Sequence, residues 1–173
     1  DKVVNNSLVE LDYNNGSLLS VSINGPLTGN AIDYFFIDDP IKSPLEANSK
    51  TYRDALWDWY LGVAQTRFHN GTKQLLTLTR WHEDDLAGRL MKHYGDEWVV
   101  VNLPAILEEP SVTPYDTREV GEVLWEARHS KERMLNIKQK TPSVFYSMYQ
   151  GTPRKKGGNI LKPENFKIIP TYL

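Results

Sequence analysis

The chain has 173 residues, of which 40% are hydrophobic, a net charge of −2 and no cysteine. That length supports one compact domain with a real core and is too short for two full ones, while the near-balanced charge supplies no overall positive field toward nucleic acid. The missing cysteine excludes disulfides, thiolate metal sites and a cysteine nucleophile, no apolar run nears the roughly 20 residues that span a bilayer, and no secretory signal opens the sequence.

The first residue is Asp1 rather than Met, and the chain reads as a piece of a longer protein. Asn5-Asn6-Ser7 and Asn70-Gly71-Thr72 fit the glycosylation acceptor pattern; without a secretion signal both are read as coincidence. Val9, Leu11 and Tyr13 alternate with acids, and Leu19, Val21 and Ile23 alternate with serines, the period of half-buried strands. Asn14-Asn15-Gly16 between them suits the positive φ angles of a tight turn, so the chain is predicted to open with an antiparallel hairpin. A glycine-containing loop, Gly25 to Gly29, follows.

Tyr34-Phe35-Phe36-Ile37 is a continuous apolar run that ends abruptly in Asp38-Asp39-Pro40, the pattern of a strand covered on both faces of a parallel sheet. The runs 75–79 and 98–103 read the same way. Between them Tyr52, Leu56, Trp59, Tyr60 and Val63 recur at helical spacing, as do Ala87, Leu90, Met91 and Tyr94. The second helix should begin at Glu83-Asp84-Asp85 and end with Lys92, His93 and Gly95, in agreement with the helix dipole and a glycine cap. Strands alternating with helices predict one mostly parallel sheet with right-handed crossovers. Residues 104–123, rich in Pro, Glu and Thr, read as an extended surface segment. Two short helices should follow, one capped by Ser130, the other opened by Thr141-Pro142 and stopped by Gly151. The remainder, with Arg154-Lys155-Lys156-Gly157-Gly158, reads as a linker.

The strongest chemical signal is the acid pair at the end of a predicted buried strand. Carboxyl ends of strands are where open α/β sheets place their ligands, and adjacent carboxylates repel unless a cation or hydrogen-bond donors compensate. In P-loop ATPases such a Walker B element uses its first acid in the Mg²⁺ shell and its second to orient or deprotonate the attacking water. The alternative is that Asp38-Asp39-Pro40 only stops a strand. A second signal is Thr77 to Leu86: Thr79 and Arg80 are predicted at the end of the next strand, where a hydroxyl and a guanidinium could sense a γ-phosphate. Glu83, Asp84 and Asp85 serve equally as helix-capping acids, and His82 as a surface histidine. A hard-metal nuclease site at His82 to Asp85 is disfavoured because consecutive residues at a helix start point in different directions. Arg67 follows a long helix as a candidate trans-acting arginine finger or as a solvated helix-end arginine. Arg154-Lys155-Lys156 could touch DNA phosphates or simply sit in solvent. The five tryptophans, dispersed among core patterns, read as packing residues.

In order and spacing these pieces resemble the large subunit of tailed-phage DNA-packaging terminases. Gly25-Pro26-Leu27-Thr28-Gly29 and Asp33-Tyr34-Phe35-Phe36-Ile37-Asp38-Asp39-Pro40-Ile41-Lys42 are similar to that family's Walker B region. Thr66-Arg67-Phe68 and Leu78-Thr79-Arg80-Trp81-His82-Glu83-Asp84-Asp85-Leu86-Ala87-Gly88-Arg89-Leu90 are similar to the stretch holding its coupling motif. Leu103-Pro104-Ala105-Ile106, Leu124-Trp125 and Phe145-Tyr146-Ser147-Met148-Tyr149-Gln150-Gly151-Thr152-Pro153 are similar to its later landmarks. The resemblance runs from about residue 16 to 166.

The resemblance implies an α/β, P-loop-NTPase-like, mostly parallel sheet: residues 1–103 as the later half of the ATPase domain, 104–151 as an extended segment and helical subdomain, and 152–173 as a linker toward a nuclease domain. It implies Asp38 for Mg²⁺ coordination, Asp39 for placing water, and Thr79 for coupling the γ-phosphate state to motion with Arg80 assisting and Arg67 as a finger. ATP and Mg²⁺ are then the substrate and cofactor. Double-stranded DNA, the portal ring and the small terminase subunit are the partners, in the host cytoplasm and transiently at the procapsid portal. Asp39 stands where many related ATPases carry glutamate; one methylene shorter, it must approach closer or act through another water. No Gly-x-x-x-x-Gly-Lys-Ser/Thr loop and no nuclease acids occur in the chain, which predicts little activity for it alone. Two other readings remain open: part of another P-loop helicase or translocase, or a non-catalytic DNA- or portal-binding module.

Overall fold

A computed structural model describes residues 2–5, 8–10, 16–23, 25, 27, 29 and 31–154, the first two segments by their backbone. The chain divides into two compact units, Asp1–Leu78 and Thr79–Leu173.

In the first unit, β1 (Lys2–Asn5), β2 (Leu8–Glu10) and β3 (Ser17–Leu19) form an antiparallel sheet in the order β1-β2-β3. The predicted opening hairpin is the β2–β3 pair, with Leu8 opposite Leu19 and Glu10 opposite Ser17; Asn14 and Asn15 of its turn lie outside the described residues. A separate sheet holds two parallel strands, β4 (Ile32–Asp38) and β5 (Phe68–Thr77). The crossover between them begins with α1 (Pro44–Asn48), where Ser43 accepts from the Glu46 N–H and Pro44 occupies the first turn. Ser49 then caps α2 (Lys50–Trp59) by accepting from Tyr52 N–H. The helix continues through a wide π turn, Tyr60–Ala64, and a tight 3-10 turn, Gln65–Arg67, directly into β5.

Leu56, Trp59, Tyr60 and Ala64 are buried. The Phe35 ring lies 6.3 Å from Trp59 and 5.2 Å from Phe68, and the Tyr60 hydroxyl donates to Gln74 Oε1 at 2.8 Å. α2 and its extension thus cover one face of the strand pair. Each apolar side chain buried there contributes on the order of 2 kcal/mol. The continuous apolar run predicts cover on both faces, and here the structure differs. Phe35 and Ile37 are buried, whereas Tyr34, Phe36 and Leu75 on the alternate positions are 69%, 60% and 52% exposed.

In the second unit, Asp85 rather than Glu83 opens α3 (Leu86–Tyr94), its side chain accepting from Gly88 N–H, and Lys92, His93 and Gly95 close it as predicted. Residues 98–103, predicted as a strand, pair with no strand among the described residues; Val99, Val100 and Val101 are 85%, 56% and 51% exposed. The parallel sheet described is therefore two-stranded, and the chain is mixed α/β. The 104–123 segment is extended as read, folded back on itself by an Ile106–Val123 bridge, with Leu107 N–H donating to Glu122 O and Leu124 N–H to Ala105 O at 2.9 Å each. Asp116 and Arg118 clamp its turn, the guanidinium reaching both carboxylate oxygens and the Pro104 carbonyl.

α4 (Lys131–Lys140) is capped by Ser130, and α5 (Pro142–Val144) runs into a π turn, Phe145–Tyr149. Thr141 precedes Pro142 as predicted but gives its side chain to the Ile137 carbonyl rather than to the following helix. Ile106, Met134 and Phe145 form the core here. Gln150, buried, closes it by pairing its amide with both the N–H and the C=O of Ile106 at 2.9 Å. Gly151 stops the helical stretch at φ +65°, where a Cβ would also run into the Asn102 side chain. Of the tryptophans, Trp59 is a core residue, but Trp125 is 59% exposed with the Arg128 guanidinium 5.5 Å from its ring. No helix among the described residues is long and apolar enough to cross a membrane.

Candidate functional site

The site starts from the register of the two parallel strands. Asp38 ends β4 directly opposite Thr77, which ends β5. Both strands point the same way, so both carboxyl ends, with the polar side chains they carry, finish at one edge. The Thr77 hydroxyl donates to Asp38 Oδ1 at 2.6 Å, and the Thr77 carbonyl accepts from the Asp39 N–H at 2.9 Å. One threonine thus anchors both acids, the first through its side chain and the second through its backbone. Asp39 adopts φ +41°, the only non-glycine residue with positive φ among those described. This left-handed turn costs about 1 kcal/mol or more for a non-glycine residue. It takes the chain out of the extended conformation at the strand end, so Asp39 does not simply continue the alternation of β4. Both aspartates are exposed, whereas Pro40 and Ile41 immediately behind them are buried. The acids face solvent from a fixed base.

Thr79 and Arg80, predicted as the end of the second strand, lie beyond it, because the ladder stops at Thr77. They belong to the second unit. There Arg80 Nε donates to Asp85 Oδ2 at 2.7 Å and its Nη2 to the Glu83 carbonyl at 3.5 Å. Asp85 is 1% exposed, and its other oxygen accepts from Gly88 N–H at 2.8 Å. Burial pushes the Asp85 carboxyl above the ordinary aspartate value, and the Arg80 charge opposes that rise. Asp84 binds Arg89 through both oxygens, at 3.0 and 2.7 Å. His82 Nδ1 accepts from Asp84 N–H at 3.0 Å. Asp84 and Asp85 therefore serve the helix start and two arginines. Among the described residues no group of three or more His, Cys, Asp or Glu is placed to hold a metal ion.

Arg67 ends the 3-10 turn just before β5, where Phe68 pairs with Ile32. It thus stands at the opposite end of the sheet from Asp38, about 20 Å away at the usual rise per strand residue. Its Nε is buried with no hydrogen-bond partner. Arg154 stacks on the Tyr146 ring, its Cζ 3.2 Å from the centroid, while Lys155 and Lys156 lie outside the described residues. The structure therefore brings Asp38, Asp39 and Thr77 together, and pairs Arg80 with Asp85. Thr77 was not singled out from the sequence; the available signal was its place one strand-period before Thr79 in a run ending at the same edge.

A parallel strand pair with a helical crossover, ending in two adjacent carboxylates anchored by a threonine, defines an α/β protein with an acidic site at its strand ends. Residues 9–168 match the family model of the terminase large subunit, T4likevirus-type, N-terminal. The chain belongs to this family of phage DNA-packaging terminase large subunits, so DNA and the packaging machinery are its partners in general. No curated relative matches the chain.

Proposed function

We propose that the strand-end acids serve ATP hydrolysis in the packaging motor. The observation that carries this reading is the Asp38–Thr77 pair at the carboxyl end of two parallel strands, with Asp39 turned out beside it. Asp38 is the acid for the Mg²⁺ shell. One of its oxygens is satisfied by Thr77 and the other can accept a metal-bound water or the ion itself, and carboxylate oxygens suit this hard cation. Magnesium, when bound with ATP, neutralises phosphate charge. Asp39, set in a left-handed turn just past the strand end, places or deprotonates the attacking water.

Thr79, two residues beyond Thr77, couples phosphate state to movement. Arg80, whose guanidinium donates to Asp85, takes the assisting role that the family resemblance implies. Arg67, at the far end of the strands, acts on a neighbouring copy rather than on its own acids. The phosphate-binding loop comes from outside residues 1–173, which carry no such pattern. Residues 1–103 are assigned to the ATPase domain, 104–151 to a following subdomain and 152–173 to a linker toward the nuclease. Portal ring and small terminase subunit are the specific partners, and the mostly parallel P-loop sheet is completed by strands beyond the two described. The missing phosphate loop also favours a second reading for the chain by itself, a binding module without turnover. Titrating labelled ATP onto residues 1–173 and onto the same chain joined to the upstream half tests both. Binding and turnover in the longer protein, both reduced by Asp38→Ala, support the proposal; turnover unaffected by Asp38→Ala and Asp39→Asn refutes it.

A further inference from the structure

We propose that Asn70 is a site of self-catalysed deamidation, with His69 as its base and Asp33 as the group that orients His69. The ladder between β4 and β5 jumps from Ile32↔Phe68 to Tyr34↔Lys73, so residues 69–72 bulge out of the strand between two paired positions. Thr72 pins the bulge by donating to the Ile32 carbonyl at 2.5 Å and accepting from His69 N–H at 2.9 Å. Asn70 and Gly71 are exposed at its tip. His69 folds back over them: its Nδ1 accepts from the Gly71 N–H at 3.0 Å. With Nδ1 accepting, the ring proton lies on Nε2, where it is shared with Asp33 Oδ1 at 3.0 Å. A carboxylate–imidazole pair is therefore aimed at a backbone amide, the arrangement that elsewhere activates a nucleophile by general-base catalysis.

That amide nitrogen is the atom that converts an asparagine followed by glycine. Gly71 N attacks Asn70 Cγ, forming a five-membered succinimide, while the Cγ–Nδ2 bond breaks. His69 Nδ1 takes the proton from Gly71 N and returns it to the departing Nδ2, which leaves as ammonia. Water then opens the ring to aspartate or isoaspartate. The balance is one water consumed and one ammonia released, with no change in oxidation state. Glycine at position 71 matters because no side chain obstructs the attack. A Cβ there would also press on the His69 ring, at 3.1 Å from Cε1 and 3.3 Å from Nδ1, and push the base away from the amide. The product places a new carboxylate in the bulge, and isoaspartate also adds a methylene to the main chain within β5.

The test is mass mapping of the peptide containing Asn70 after timed incubation at constant pH, folded and in urea. Asn15 and Asn24, each also followed by glycine, are references within the same chain. Asn70 should convert faster in the folded protein than in urea. His69→Phe should slow it by about tenfold or more, in line with loss of a positioned base, Asp33→Asn by less, and Gly71→Ala should nearly abolish it. Asn15 and Asn24 should keep their rates in all three variants. Slower conversion of Asn70 folded than in urea would mean that the hydrogen bond to His69 protects the amide, and overturns the proposal. An unchanged or raised rate in His69→Phe does the same, as does a parallel change at Asn15 and Asn24. The urea comparison on the unaltered chain decides the matter even if a variant fails to fold.

Discussion

Thr77 donates its hydroxyl to Asp38 across the ends of two parallel strands at 2.6 Å, although 39 residues separate them in sequence. The bond satisfies one oxygen of an acid that sits beside a second acid, and so fixes where the remaining oxygen points. A hydrogen bond to a charged group is worth about 1.5–3 kcal/mol, less at an exposed site. Thr77→Val keeps the shape and removes the donor. In the assembled motor it should lower ATP turnover by roughly tenfold and weaken Mg·ATP binding, while Thr77→Ser should restore both. Steady-state kinetics across a magnesium titration checks this; equal activities of the Val and Ser variants would show that the bond only ends a strand.

The two aspartates should respond differently to substitution. Asp39→Asn preserves size and hydrogen bonding but loses the charge that aligns or deprotonates water. It should spare ATP binding and cut hydrolysis by about 10²-fold or more. Asp38→Ala removes an oxygen ligand and should weaken binding as well as turnover. Thr79→Ala should leave single-turnover hydrolysis in place while DNA translocation fails. Parallel assays of nucleotide binding, turnover and packaging separate the three, and normal packaging by Asp39→Asn would remove the site from its proposed role.

Local signals in the sequence mapped closely onto the fold. Ser130, Pro142 and Gly151 act where their chemistry suggests, because capping, a fixed proline φ and a left-handed glycine depend on neighbours within one turn. Asp38 was legible as a strand end for the same reason. The parallel pairing of β4 with β5 was legible too, but the readings that failed depended on a distant partner. Val99-Val100-Val101 has the composition of a buried strand, but strand membership needs a neighbour to share hydrogen bonds, and none is described beside it. Thr77 and Thr79 are two residues apart and would share a face of any strand. Only the pairing with β4 decides which one meets Asp38. The positive φ of Asp39 was equally hidden, since aspartate tolerates that region without demanding it.

Gly88 provides a stability prediction for the turn before α3. A Cβ at that position would collide with the Glu83 carbonyl oxygen, and it would approach Arg80 Nη2 to 3.3 Å. The obstacle is mainly backbone, so it cannot swing away. Gly88→Ala should therefore destabilise the second unit by about 1–3 kcal/mol in spite of alanine's higher helix propensity. Asp85→Ala should cost a similar or greater amount, because it strips Arg80 of its buried partner and Gly88 N–H of its cap. Chemical denaturation of both variants checks this; a gain in stability for Gly88→Ala would show that the turn opens more easily than its geometry suggests.

The Asp116–Arg118 clamp makes the last prediction, an acid-sensitive one. Hydrogen bonding from Arg118 holds the Asp116 carboxyl below the ordinary value of 3.8, outweighing the opposing effect of burial. In the unfolded chain that bond is gone and Asp116 regains its usual affinity for protons. Between the two values the unfolded state binds more protons than the folded one, so stability rises with pH across that interval and levels off above it. The contribution is fully present at pH values well above 3.8 and is lost as pH falls toward the folded-state value. Asp116→Asn removes this titration: the variant should be less stable at neutral pH, and the gap from the unaltered chain should narrow as the solution is acidified below about pH 4. Asp85 acts in the opposite sense, its raised carboxyl lessening stability as pH rises through its interval above 3.8. The decisive measurement is therefore the difference between Asp116→Asn and the unaltered chain in urea unfolding at several pH values, in which the Asp85 contribution cancels. A difference that stays constant from neutral pH down through 3.8 would mean that Arg118 holds the 104–123 turn through the Pro104 and Glu122 carbonyls alone.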